Sequence, residues 1–248
     1  MAVVLLDLWG VVCNHEEMDK GYRLVMSEIL QKEHGGDRRT WLRSHDTAYT
    51  WYVDAFTDAA KRQVPHRAFV DRMDAEHIRM IFEIAGVPFP TVDPLAFARE
   101  LERRVLSSIA SAYPDVRNAV ARLREAGHAV YLATQGTESS AAGAIQGAHL
   151  EGLFDGLFTG HSMDAFKSDR AYWERALARL GVAAEDCVAV DDSLRYLEAA
   201  TSVGVTGLLL DRLGMHPAGS VPPFVRAVLR HLAGLPQFLA ATPGGGPR

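Results

Sequence analysis

Short apolar runs that each close on a polar residue constrain this chain more than any other feature. Val3–Leu6 closes on Asp7, Ala129–Ala133 on Thr134, and Cys187–Val190 on Asp191 and Asp192. Val205–Leu210 is a further run. Runs that lack polar alternation read as strands buried on both faces, the habit of parallel sheets. Helical stretches separate them: Val116–Ala126, Ser139–His149, Asp169–Leu180 and Leu194–Val203, with Gly127 and Gly181 as stop signals. One more short strand is expected within Leu153–Thr159, and a last helix over Pro223–Ala233. The alternation predicts an open parallel α/β sheet with helices on both faces. Such sheets bind ligands beyond the carboxyl ends of their strands, where the polar closing residues stand.

The segment from about Glu16 to Ala112 has a different character. It reads as four helices, Glu17–Lys32, Arg38–Gln63, Pro65–Ala85 and Pro94–Ser111, separated by Gly35-Gly36, Pro65 and the Pro88/Pro90 pair. Trp41, His45, Ala48, Tyr52 and Phe56 recur at helical spacing, a stripe that is more often core than binding site. A chain of 248 residues suits one domain with a large insertion, or two modest domains. The expected division is a core of residues 1–14 and 113–240, a helical domain of 15–112, and a disordered tail over 241–248.

Composition removes several classes. The net charge is −5 with no long run of either sign, so a nucleic-acid partner is not expected. An anionic substrate would need a local device such as a metal ion or helix N-termini. Cys13 and Cys187 are the only cysteines and read as buried free thiols of a reducing cytosol. The opening MAVVLLDLWGVV is apolar, but it is short, contains an acid and lacks a basic leader. No run is long enough to span a membrane, so a cytoplasmic protein is expected.

The strand ends share one chemistry. Carboxylates converging at one rim repel each other unless a cation lies among them, and hard oxygen ligands suit Mg²⁺. A carboxylate can attack phosphorus and form an acyl phosphate. A lysine such as Lys167, in the loop before the Asp169–Leu180 helix, would hold that carboxylate and the transferring group. A threonine hydroxyl and the amides after it would bind phosphoryl oxygens.

These motifs, in this order, resemble the haloacid dehalogenase superfamily of phosphatases, phosphonatases, dehalogenases and phosphomutases. VVLLDLWGVV is similar to its strand-Asp-x-Asp-Gly motif except at one position. VYLATQGT is similar to its strand-Thr/Ser-Asn-Gly motif, and FKSDRAYWERAL to its lysine before a helix, with Lys-Ser for Lys-Pro. VAVDDSLRYLEAA is similar to its strand-Asp-Asp motif. The resemblance spans nearly the whole chain and implies a Rossmann-like core. The helical block falls where the family inserts its C1-type cap. It further implies that Asp7 is nucleophile and metal ligand, and that Trp9 lends its backbone carbonyl to Mg²⁺. Thr134 would hold a phosphoryl oxygen, Lys167 would balance Asp7, and Asp191 and Asp192 would hold the ion directly or through water. Gln135, Gly136, Trp9 and His15 fall on the substrate side. The substrate implied is a phosphorylated or diphosphate small molecule.

The departure is Trp9. The family's phosphatases carry there a second Asp, which protonates the leaving alcohol and then activates water. Tryptophan transfers no proton, and loss of a positioned acid/base costs about 10²–10⁴ in rate. Three readings follow. The substrate needs little protonation or another group supplies it, as in phosphonatases, which use a cap lysine (Lys20, Lys32 and Lys61 are available). The protein is a 2-haloacid dehalogenase, a class with an aromatic residue at this position but without the acidic pair. Or hydrolysis is lost, leaving a metal-dependent diphosphate lyase or cyclase, or a binding protein. His15 after the first motif, and His161 before Lys167, are candidate surrogate acid/bases, although surface histidines at such places are commoner.

Overall fold

The computed structural model describes residues 2–57, 65–217 and 219–241. Lys61, the end of the expected Arg38–Gln63 helix and residues 242–248 of the expected tail lie outside the described residues. The chain divides into two compact units. One comprises Met1–His15, Ala112–Thr137 and His149–Arg248; the other comprises Glu16–Ser111 and Glu138–Ala148.

The first unit is built on β1 (Val3–Leu6), β2 (Ala129–Thr134), β3 (Gly156–Thr159), β4 (Cys187–Asp191), β5 (Thr206–Leu210) and β6 (Val225–Leu229). All neighbours pair in parallel, in the order β3-β2-β1-β4-β5-β6. Side chains alternate between the two faces along each strand. Val3 and Leu5 of β1, Ala133 of β2, Cys187 and Ala189 of β4 and Leu209 of β5 enter one core with α8 (Arg170–Leu180) and α9 (Leu194–Thr201), through Tyr172, Trp173, Ala176, Leu197 and Ala200. Val4, Leu6, Val130 and Leu132 are buried on the opposite side. There α5 (Val116–Glu125) packs on β2 and buries Val116, Ala119, Val120 and Leu123. Full burial of each such Val or Leu contributes about 1.5–3 kcal/mol, so both faces stabilise the sheet. Polar substitution at Leu5 or Leu6 would break it.

The helix expected over Pro223–Ala233 is not formed. Val225–Leu229 is strand β6, followed by a 3₁₀ turn at Leu232–Gly234 and by α10 (Leu235–Ala241). Val225, Ala227 and Leu229 are half-buried while Arg226 and Val228 are exposed, a two-residue period that suits the sheet edge. Pairing with β5 supplies backbone partners that an isolated helical reading ignores. The sequence reading also omitted the single turn α7 (Gly160–Met163), closed by a Thr159–Ser162 capping box.

The second unit holds α1 (His15–His34), α2 (Arg38–Thr57), α3 (His66–Ala85), α4 (Pro94–Ser107) and α6 (Glu138–Gly147). Trp41, Phe69 and Phe82 are buried in it. The Trp41 and Phe82 rings meet edge to face at 5.0 Å, and Trp41 Nε1 donates to Gly35 O at 2.8 Å. Trp41, His45 and Ala48 are buried and Tyr52 and Phe56 half-buried, so the aromatic stripe is core. α6 lies directly on α4 because its contact face has almost no side chains. A Cβ at Gly143 would press on Arg103 O and Leu106, and one at Gly147 on the backbone of Leu106 and Ile109.

Candidate active site

Register explains why two acids meet. β1 and β4 are neighbours with Leu6 level with Val190, so Asp7 and Asp191, one residue on, stand side by side. By alternation they continue the row of Val3 and Leu5 and that of Cys187 and Ala189, on the face covered by α8 and α9. Lys167, just before α8, enters from that face. Its ammonium donates to Asp7 Oδ1 and to Asp191 Oδ2, the latter at 2.6 Å. All three side chains are buried, Lys167 at 0% exposure.

The lysine is held by its backbone as well. Its N–H donates to Gln135 Oε1 at 2.6 Å, and its carbonyl accepts from Trp173 Nε1 at 2.9 Å. The Tyr196 ring lies against the ammonium, with the Nζ atom 5.0 Å from the ring centroid. Asp191 Oδ1 accepts from Ser193 N at 2.8 Å, which fixes the turn into α9.

Asp192 completes an acidic group. Asp7, Asp191 and Asp192 each offer a carboxylate oxygen, all within 4.8 Å of one another. The loop after Asp7 bends at Gly10, where φ is +83°, and a Cβ there would run into the Asp192 carboxylate. Leu8 O accepts from the N–H groups of Val12 (3.2 Å) and Cys13 (2.7 Å), so the loop is a closed turn. Arg212 donates to Val11 O at 2.8 Å and to both oxygens of Asp115, and lies over the Tyr113 ring at 3.8 Å.

Burial dominates the electrostatics. It pushes the Asp7 carboxyl up to about 6, against the pull of Lys167. Burial likewise pushes Asp191 up to about 7, with Asp7 adding to it and Lys167 opposing. Asp192 is also raised, by burial and by Asp191, while His15 lowers it. Burial alone would lower Lys167, but Asp191 and Asp7 hold it above its ordinary value. Two buried carboxylates and the half-buried Asp192 thus gather about one ammonium, a donor set that fits a divalent cation with oxygen ligands.

The profile of the haloacid dehalogenase-like hydrolases matches residues 1–204. The chain belongs to this family. It is 31% identical over 123 residues to a phosphatase of Mycobacterium tuberculosis, covering 49% of the chain and 57% of that protein. It is 25% identical over 118 residues to an (S)-2-haloacid dehalogenase of Burkholderia cepacia, covering 48% and 51%. The chain thus spans only about half the length of the curated relatives it matches. The crystal structure of a 2-haloacid dehalogenase from Pseudomonas syringae pv. tomato superposes with a TM-score of 0.70 at 17% identity, over 97% of this chain and 98% of that one. That likeness is one of fold: a six-stranded parallel sheet flanked by helices.

Within this haloacid dehalogenase-like hydrolase, the remaining residues singled out from the sequence fall as follows. Thr134 is buried at the end of β2, and its hydroxyl accepts from Gly136 N at 3.5 Å. Gln135 turns its amide oxygen to Lys167. Gly136 O accepts from His161 N at 3.4 Å, which ties the β2 loop to α7. Trp9 is half-buried and bridges to Cys13. His15 is the exposed first residue of α1. Cys13 and Cys187 are buried and not joined in a disulfide; burial pushes the Cys187 thiol up to about 11, so it stays protonated. No helix among the described residues is long and apolar enough to cross a membrane. The sequence reading did not single out Tyr196, Trp173 or Arg212, because no local motif marks them and the partners of Tyr196 and Arg212 are distant in the chain.

Proposed function

We propose that the chain is a Mg²⁺-dependent hydrolase of a phosphorylated small molecule, working through a phospho-aspartyl intermediate on Asp7. The observation that carries this reading is the convergence of Asp7, Asp191 and Asp192 within 4.8 Å, a donor set suited to a divalent ion. Asp7, Asp191, Asp192 and the Trp9 carbonyl would hold Mg²⁺. When bound, the ion neutralises the acids and the phosphoryl oxygens so that an anion can approach an anion.

Lys167 engages one oxygen of Asp7 and leaves the other to attack phosphorus. The O–P bond to Asp7 forms as the bond to the leaving oxygen breaks, and Thr134 with the amides after it holds the phosphoryl oxygens. Water then attacks the phosphorus, releasing phosphate and restoring Asp7. With Trp9 in place of an acid, the leaving oxygen is protonated by solvent, or leaves as a stabilised anion. This favours substrates with good leaving groups, such as acyl phosphates. The helical unit is read as the family's C1-type cap.

A second reading, 2-haloacid dehalogenase, is favoured by Trp9 and by the haloacid dehalogenase relative. There Asp7 displaces halide from carbon and water hydrolyses the ester, with no acid needed at position 9. The two readings separate in one experiment. Phosphate release from acetyl phosphate and a phosphoester panel that needs Mg²⁺, stops in EDTA and disappears in Asp7→Asn supports the first. Halide release from 2-chloropropionate that persists in EDTA, with no phosphate release, replaces it by the second.

A further inference from the structure

The buried ammonium of Lys167 has two carboxylates on it and no exposure to water. Two carboxylates do not surround an ammonium, and a buried cation needs its other sides covered by something better than alkane. The Tyr196 ring meets that need: its centroid is 5.0 Å from Nζ, inside the roughly 6 Å reach over which a ring face attracts a cation. Tyr196 is brought there by α9, three residues after Ser193, whose N–H is fixed by Asp191. The same acid that binds the lysine therefore also sets the start of the helix carrying the ring.

We infer that Tyr196 is a positioning residue of the site, acting through its ring face on Lys167 and so on the placement of Asp7. The ring adds attraction without adding a hydrogen-bond acceptor, so it brings no rival to Asp7 and Asp191. The phenol hydroxyl is not needed for this role.

The test replaces Tyr196 by Phe and then by 4-fluoro-, 3,5-difluoro- and 3,4,5-trifluoro-Phe in the full chain. Fluorine drains the ring face of negative potential but leaves its shape almost unchanged and makes it more apolar. A packing role therefore predicts level or rising stability along the series. The ring-face role predicts a steady fall. At fixed urea the unfolding equilibrium constant should rise by about 3–30-fold from Phe to trifluoro-Phe, the range expected of such contacts from half-exposed to dry. Tyr196→Phe itself should be close to wild type. This arm needs neither metal nor turnover. A flat or inverted series overturns the inference, as does a Tyr196→Phe loss as large as that of trifluoro-Phe, which would assign the effect to the hydroxyl. The second arm rests on the hydrolase reading: kcat with acetyl phosphate should fall along the series by about 3–10-fold with KM unchanged. If unfolding follows the series while wild type turns nothing over, the hydrolase reading fails and the ring-face contact stands. If kcat holds constant while unfolding follows the series, Tyr196 is a stabilising contact only and its positioning role is overturned.

Discussion

Asp7, one residue beyond β1, stands level with Asp191 at the end of the adjacent parallel β4, and the two share one ammonium, that of Lys167. Neither acid is local to the other in the chain. Their meeting is a product of sheet order, and the physical behaviour of the site follows from it.

Removing the shared cation should be costly. Lys167→Met leaves two buried carboxylates facing each other, and breaking a buried pair in this way costs about 3–5 kcal/mol. Urea unfolding at pH 8 should show that loss, and Mg²⁺ should restore part of it. A Lys167→Met chain as stable as wild type would mean that the acids are not ionised together.

The acids make stability depend on pH with a definite sign. Burial raises Asp7 to about 6 and Asp191 to about 7 in the folded state, against an ordinary value of 3.8. Their contribution to stability is complete below pH 3.8 and is lost as pH climbs through about 6 to 7, because the folded site binds protons that the unfolded chain has released. The two titrate as a coupled pair. Mg²⁺ competes for the ionised forms, so its stabilising effect should grow over the same window. At saturating Mg²⁺ the Tm should rise by about 5 °C or more at pH 8 and little at pH 5. Calorimetry in two buffers should register proton release on Mg²⁺ binding near pH 6; an equal Tm shift at both pH values contradicts this account.

Gly10 carries a condition on the proposed Mg²⁺ site. Gly10→Ala adds a methyl aimed at the Asp192 carboxylate, in a left-handed conformation that costs about 1–2 kcal/mol for a residue with a side chain. The chain should still fold while the Tm shift with Mg²⁺ shrinks. Undiminished Mg²⁺ stabilisation in Gly10→Ala would separate this loop from the acidic group.

Trp9 tests the proton inventory. Under the hydrolase reading, Trp9→Asp supplies an acid two residues after the nucleophile. Turnover of phosphoesters with poor leaving groups should rise by about 10²-fold or more, while acetyl phosphate, which needs little protonation, should change far less. Equal changes for both substrate types would argue that position 9 takes no part in proton transfer.

The sequence made the sheet and its polar rim legible for one physical reason. Strands buried on both faces must be continuously apolar, so the first polar residue marks where the strand leaves the core. Asp7, Thr134 and Asp191 were readable in that way. β6 was not, because Val225–Leu229 is short and follows two prolines, and a half-buried edge strand offers little to tell it from a helix end. The roles of Tyr196 and Gly10 were not, because each depends on a residue distant in the chain, Lys167 and Asp192. The contact of the Gln135 oxygen with the backbone N–H of Lys167 was not readable either, because the two residues lie 32 positions apart.

The bare face of α6 has a consequence for dissection. Gly143 and Gly147 seat α6 on α4, yet α6 is spliced between β2 and β3. The helical unit is thus drawn from two separate stretches of chain, and residues 16–111 are not a portable cassette. Cut out alone, they would bare the side of α4 that α6 covers and expose Leu106 to water. Swapping the helical unit between relatives of this fold would have to carry residues 138–148 as well.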